Sequence, residues 1–358
     1  MNRRQMLSLC AGAVPVVAGI SCSSWAIAAE PKQSKNPLGV VIHSYGIRGS
    51  RPMPPEFTRI DDPLSFVEHC AGLGAAGVQI RIGQRDDAYL AQLREKVARH
   101  GMYLEGMIAL PKEDADLPRF ESELRTSKSA GVTTLRTACL GDRRYERFDT
   151  LESFRQFAAQ AWASLQLAEP LLKNHKMRLA IENHKDWRID ELLDLLRRLS
   201  SEHIGVCIDT GNSISLLEDP LLVVEAYAPF AFTTHFKDMG VAEYDDGFLL
   251  SEVPLGQGFL DLPRIAATLR RARPEVRLNL EMITRDPLRI PCLTPRYWAT
   301  LDRVSGRDLA DTLARVRKHK FAGPLPTVGQ LDAVERLHTE EANVRRSLRF
   351  AQEKLTML

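Results

Sequence analysis

Along the chain, short apolar runs rich in β-branched residues alternate with longer stretches in which apolar positions recur every three or four residues. The first pattern fits a buried strand and the second an amphipathic helix. Eight runs read as strands, at 38–47, 77–82, 103–110, 133–140, 178–184, 204–212, 231–239 and 277–284. The helical spacing predicts helices near 63–74, 87–100, 116–130, 150–175, 188–200, 219–228, 261–273 and 306–319, several opening on Asp or Ser as an N-cap. Eight βα units in series, without a linker or composition break, predict an α/β fold whose parallel sheet closes on itself, a (β/α)8 TIM barrel over residues 38–325. A doubly wound open sheet would carry a glycine-rich phosphate turn after its first strand, and Ile47-Arg48-Gly49-Ser50 is not one. Segments 240–260 and 286–305 read as insertions after strands seven and eight, on the face where barrels build their sites. Residues 326–358 read as a charged helical tail that packs on the outside of the barrel or on a partner chain.

The first residues break the alternation. Arg3 and Arg4 precede an uncharged stretch over 6–29 that ends in Ala26-Ile27-Ala28, so residues 1–28 are expected to be an export signal of the twin-arginine type, giving a periplasmic or secreted protein. An ordinary secretory signal and a lipidated Cys22 are the alternatives. No membrane association beyond that signal is expected. Removing the two arginines lowers the 48 basic residues to 46, equal to the 46 acidic ones. A chain without surplus positive charge is poorly suited to nucleic acid, whose binding rests on phosphate neutralisation. Small-molecule ligands fit better, and a homo-oligomer is left open. Cys70, Cys139, Cys207 and Cys292 lie in or beside apolar runs without metal-type spacing and read as buried thiols.

Charge at the ends of apolar strands is where the chemistry is expected, because those ends converge on a barrel's mouth. Leu179-Ala180-Ile181 runs into Glu182, Val206-Cys207-Ile208 into Asp209, Phe232-Thr233-Thr234 into His235, and Leu278-Asn279-Leu280 into Glu281. Three converging carboxylates and an imidazole would be costly to bury unless a cation sat between them. The set is a hard one, suited to one divalent metal such as Mn2+, Mg2+ or Co2+, with Zn2+ as a further candidate. Lys237 is placed to donate to an oxyanion or to pair with Asp238 or another acid. His43 and His184 are candidate ligands of substrate hydroxyls. Asn212 and Asp238 are polar candidates for substrate contact, and Trp187 and Trp298 candidates for an apolar wall against a sugar ring, with core packing the alternative.

The motifs Glu182-Asn183-His184, Asp209-Thr210-Gly211-Asn212, His235-Phe236-Lys237-Asp238 and the strand-ending Glu281 resemble those of the sugar phosphate isomerase/epimerase superfamily, the xylose isomerase-like barrels. That family includes ketose 3-epimerases, hydroxypyruvate isomerase and inosose dehydratase. The resemblance implies that the four residues hold the metal and that Glu182 and Glu281 face each other across the substrate as acid and base. Ketose 3-epimerases carry a His where this chain has Asn212, which argues against simple ketose epimerisation. The expected activity is proton abstraction next to a carbonyl on a non-phosphorylated sugar or keto-sugar, with epimerase, isomerase, lyase, hydratase and decarboxylase outcomes open. A non-catalytic carbohydrate-binding barrel is one rival. An apurinic endonuclease is another, and it predicts a basic mouth and extra histidines.

Overall fold

The computed structural model describes residues 36–49 and 54–355, so the expected export signal over 1–28 lies outside the described residues. Eight strands form one parallel sheet: β1 (Leu38–Val41), β2 (Gly77–Ile80), β3 (Tyr103–Met107), β4 (Thr134–Thr137), β5 (Arg178–Glu182), β6 (Ile204–Asp209), β7 (Ala231–His235) and β10 (Leu278–Leu280). Each pairs with its sequence neighbour, β10 pairs with β1, and parallel bridges Thr233–Arg277 and Phe236–Leu280 close the ring. Covered on both sides, these strands are buried along nearly their whole length, and their apolar residues make the short runs seen in the sequence. The TIM barrel expected from the alternation is the fold observed.

Seven helices follow at the expected places: α1 (Pro63–Gly72), α2 (Asp87–Arg99), α3 (Leu117–Ser129), α4 (Leu151–His175), α5 (Ile189–Leu199), α6 (Pro220–Tyr227) and α7 (Leu262–Ala272). Asp62, Asp86, Thr150, Asp219 and Asp261 cap their first turns by accepting from backbone N–H groups. Their apolar faces and the outward side chains of the strands form one large core.

Two expectations are corrected. The seventh run, expected as one strand over 231–239, ends at His235. The chain then leaves the barrel as an antiparallel hairpin of β8 (Asp238–Tyr244) and β9 (Gly247–Val253), which β11 (Leu288–Ile290) joins to make a separate three-stranded sheet. Helix α8 (Gly306–Lys318), expected as the eighth outer helix, packs instead on that sheet, where Val316 joins Val241, Leu250 and Ile290 in a second core. The eighth outer position is taken by α9 (Ala333–Lys354), whose Val344, Leu348 and Ala351 enter the main core. It is tied to the strand ends on both sides of the seam: Glu340 accepts from the Ile47 and Arg48 amides, and Asn343 donates to Thr284. Both helices are amphipathic, and the hairpin sheet takes α8 as its cover while the barrel takes α9.

Candidate metal centre

Strand register brings the site together. β6 and β7 align Asp209 with His235, and β5 places Glu182 opposite Cys207, two residues before Asp209. Glu281 follows β10 directly, and one ligand atom from each of the four residues lies within 4.8 Å of the others. All four side chains are buried. Three carboxylates that repel one another are thereby kept in one place around an imidazole.

Electrostatics at the cluster follow from that crowding. Burial opposes ionisation of Glu182, but the Arg136 guanidinium and His235 outweigh it and hold the carboxyl well below its ordinary range. For Glu281 burial is likewise outweighed, by His235 and Lys237. Burial wins at Asp209 and raises it in spite of Lys237. His235 is opposed by burial, yet Cys207, Glu281 and Glu182 raise its proton affinity well above normal. The negative field that holds a proton on His235 would draw a divalent cation to the same spot.

Whether these residues suit a metal can be tested on their spare valences. His235 Nε2 lies 2.8 Å from Gln79 Oε1, and Gln79 Nε2 donates to Glu105 Oε2 at 3.1 Å. Because Glu105 takes the amide N–H, Gln79 turns its oxygen to His235, which fixes a hydrogen on Nε2 and turns Nδ1 to the carboxylates, 3.3 Å from Glu182 Oε2 and 3.2 Å from Glu281 Oε1. His235 Nδ1 and Asp209 Oδ2 are buried without a hydrogen bond. Three carboxylates converging on an imidazole nitrogen, one ligand atom of each within 4.8 Å of the others, fit a metal that would take the place of the proton on His235 and would be hard to justify as packing. Lys237 Nζ sits beside them, 2.8 Å from Asp209 Oδ2 and 2.6 Å from Glu281 Oε2.

A cleft of about 220 Å³ opens above the cluster, lined by His43, Arg136, Glu182, His184, Lys185, Lys237, Glu281 and Arg285 among others. His43 reaches Glu281 Oε1 at 2.7 Å and is partly exposed. His184 is driven down to about 3 by burial and by Lys185, so it lines the cleft as a neutral ring, with Nδ1 free of hydrogen bonds. Asn212 Nδ2 approaches Glu182 Oε1 at 3.4 Å, and its Oδ1 accepts from Lys185 Nζ.

Three expected contact residues lie elsewhere. Asp238 accepts at Oδ2 from the Gly256 and Gly258 amides and at Oδ1 from those of Met239 and Leu260, so its carboxylate folds the Gly256-Gln257-Gly258 loop. A Cβ on Gly258 would come within 2.1 Å of that carboxylate, which accounts for glycine there. Trp187 stacks on Phe157 at 5.2 Å between ring centroids and belongs to the core. Trp298 donates to the Cys292 carbonyl and packs against the second core.

Sequence reasoning missed Arg136, Lys185, Arg285, Glu252 and Gln79. Arg136 lies within β4, one residue before its end, and donates to Glu182 Oε2 at 2.5 Å through Nε. It is a charge inside a strand, a signal that a search for strand-ending acids and histidines passes over. Arg285 pairs with the buried Glu252 of β9, at 3.1 Å and 2.5 Å. Nothing in the spacing of these two residues announces that contact, because it depends on the hairpin folding back over the mouth.

The fold and the cluster together define a class. Residues 67–302 match the family described as Xylose isomerase-like TIM barrel, and the chain belongs to that family. Among curated proteins it is similar to 3-oxo-isoapionate decarboxylase of Pectobacterium atrosepticum, with 26% identity over 223 residues, 60% of this chain and 76% of that protein. Among solved structures it resembles D-psicose 3-epimerase, with 15% identity, 89% of this chain and 99% of that one covered, and a TM-score of 0.56. It also resembles 3-keto-D-glucoside 4-epimerase from E. coli, with 11% identity, 79% and 99% coverage and a TM-score of 0.51. These two likenesses carry the fold. The relatives named for a reaction are enzymes, and they include epimerases and a decarboxylase.

Proposed function

We propose that this protein is a divalent-metal-dependent enzyme that removes a proton next to a carbonyl of a non-phosphorylated sugar or keto-sugar. The observation that carries the reading is the convergence of Glu182, Asp209, His235 and Glu281, all buried, with one ligand atom of each within 4.8 Å of the others. Glu182, Asp209, His235 and Glu281 would hold the ion. When bound, the ion polarises the carbonyl and stabilises the charge that builds on its oxygen. Glu281 is the base in this reading: His43 at 2.7 Å orients one of its oxygens, and the cleft opens on it. Glu182 is the second acid–base carboxyl in this reading and, being held ionised by Arg136 and His235, takes up a proton from solvent before it returns one. Lys237 donates to the developing oxyanion. His43, His184 and Asn212 are the candidate contacts for substrate hydroxyls. The expected periplasmic or secreted location supports a substrate without phosphate.

A second reading, loss of carboxylate or of a β-oxygen from an oxidised sugar, is favoured by the cleft lining. Arg136, Lys185, Lys237 and Arg285 give the mouth more positive groups than a neutral sugar needs, and the curated relative is named as a decarboxylase. Both readings share the first half-reaction. Metal analysis and solvent-deuterium exchange into a panel of sugars and keto-sugars, followed by NMR, test it together. One equivalent of divalent ion and chelator-sensitive exchange are expected. Less than about half an equivalent, with sugar binding indifferent to chelator, would leave a binding barrel as the better description.

A further inference from the structure

Four side-chain cations line the cleft, and three of them already face a carboxylate. Arg136 is paired with Glu182, Lys237 with Asp209 and Glu281, and Arg285 with Glu252. Lys185 is the exception among the described residues. It is 2% exposed, and no carboxylate oxygen lies within 4.0 Å of its ammonium. Its one hydrogen-bond acceptor is the neutral amide oxygen of Asn212. A buried ammonium offers three donors, and leaving such a charge without an anion is among the costliest arrangements a protein can keep. The strain registers on the group: burial, then the neighbouring Lys237, pushes Lys185 down to about 8.

The placement is built rather than incidental. Lys185 is three residues beyond Glu182, and its carbonyl accepts from the Arg144 amide at 2.9 Å, which pins the backbone at that point. Asn212 sits between the two, with its amide nitrogen toward Glu182 and its oxygen toward Lys185. Asn212 thus fixes the distance between the ammonium and the metal ligands. Counting charges gives the same direction. Glu182, Asp209, Glu281 and Glu252 balance Arg136, Lys237, Arg285 and Lys185, so a bound divalent ion leaves the neighbourhood with an excess of two positive charges.

We infer that Lys185 is the anion subsite of this cleft and that the substrate is a sugar acid, whose carboxylate meets the Lys185 ammonium while its carbonyl and hydroxyl face the metal ligands. This rests on the proposed metal-dependent enolisation and narrows its substrate class. Asn212 is the positioning residue that aims the ammonium. A carboxylate in that place completes the pairing that the protein leaves open, and a neutral sugar of the same shape cannot.

The test uses the metal-loaded full chain and paired probes that differ in one group: D-glucose with D-glucuronate, and L-sorbose with 5-keto-D-gluconate. Calorimetry is expected to show the acid of each pair binding about tenfold tighter or more, as fits a charge-assisted contact in a buried setting. Lys185→Met should erase that preference while leaving affinity for the neutral partner and the metal stoichiometry unchanged, and Lys185→Arg should keep most of it. Equal binding of acid and neutral probes, absence of binding by both, or equal weakening of both in Lys185→Met would overturn the subsite. Metal stoichiometry and deuterium exchange into neutral keto-sugars are read on the same samples. If those hold while the acid preference is missing, the sugar-acid inference alone is lost. If metal is not retained, the enolisation reading falls first.

Discussion

Two buried polar clusters sit one layer apart in the same barrel, and they behave in opposite ways. Thr233 and Asn279 precede His235 and Glu281 by two residues, so the period of a strand turns them inward one step deeper. With Gln79 and Glu105 they form the lower cluster, in which Glu105 Oε2 accepts from Gln79 at 3.1 Å, Thr233 at 2.6 Å and Asn279 at 3.0 Å. Its donors are neutral. The nearest cation, Arg277, is 3.7 Å away from the other oxygen, and burial raises the Glu105 carboxyl above its ordinary range. The upper cluster is as deeply buried, but it gathers charges of both signs, with three carboxylates converging on one imidazole. Burial of polar groups therefore does not mark a site, and neither does one oxygen without a hydrogen bond, since Glu105 Oε1 in the lower cluster is such an atom. A site is marked by several charged ligand atoms held within reach of one ion.

The largest effect that would sharpen this contrast is expected at Glu281. Glu281→Gln keeps the shape but removes the base, and should slow solvent-deuterium exchange by about 10²- to 10⁴-fold while weakening metal binding. Unchanged exchange would deny it the double role. In the lower cluster the matching change, Glu105→Leu, should act on folding instead. It strands three buried donors at about 1–3 kcal/mol each before relaxation, read as a fall in the denaturant midpoint. Retained stability would show that the lower network is dispensable.

Gln79 joins the two layers, and Gln79→Leu asks whether the contrast is a real division of labour. Freed from Gln79, the His235 ring loses its fixed tautomer, and metal affinity should drop by about 10- to 100-fold by calorimetry, with little change in overall fold. An unaltered affinity would separate the layers entirely. The smallest effect concerns pH. Glu105 binds its proton more tightly folded than unfolded, so its contribution is full below the ordinary carboxylate range and declines as pH rises from there through its raised folded value. Glu105→Gln, which cannot ionise but still accepts through its carbonyl oxygen, should flatten that decline in denaturation curves taken from pH 4 to 8. A slope equal to that of the unaltered protein would assign the pH dependence to other groups.

The upper cluster was legible because each ligand is a charge that interrupts a run which should be buried, and because the intervals between them match βα units. Arg136 is a charge inside β4 rather than at its end, where only acids and histidines were sought. Lys185 and Arg285 lie beyond strand ends, where polarity is ordinary and carries no information. The lower cluster was invisible for a different reason. Gln79, Thr233 and Asn279 are neutral residues inside short strands, and Glu105 sits in Tyr103-Leu104-Glu105-Gly106-Met107 with no partner visible in sequence. Trp187 and Trp298 show the reverse failure, since aromatic residues near a mouth serve the core as readily as a ligand. The outer layer was read correctly through α7, and the eighth position was misassigned because choosing between α8 and α9 requires knowing that the hairpin needs a cover.

That late cover has a consequence for how the molecule comes into being. The helix that shields the junction of β1 and β10 is also the one made last of those described, so a chain emerging from the ribosome has all eight barrel strands but seven of the eight covering helices, with its seam bare until Lys354 is free of the tunnel. During that interval the partners waiting for Val344, Leu348 and Ala351 face solvent, and the nascent protein depends on whatever shelters them. The timing of biogenesis, as much as final stability, is written into the position of this one segment.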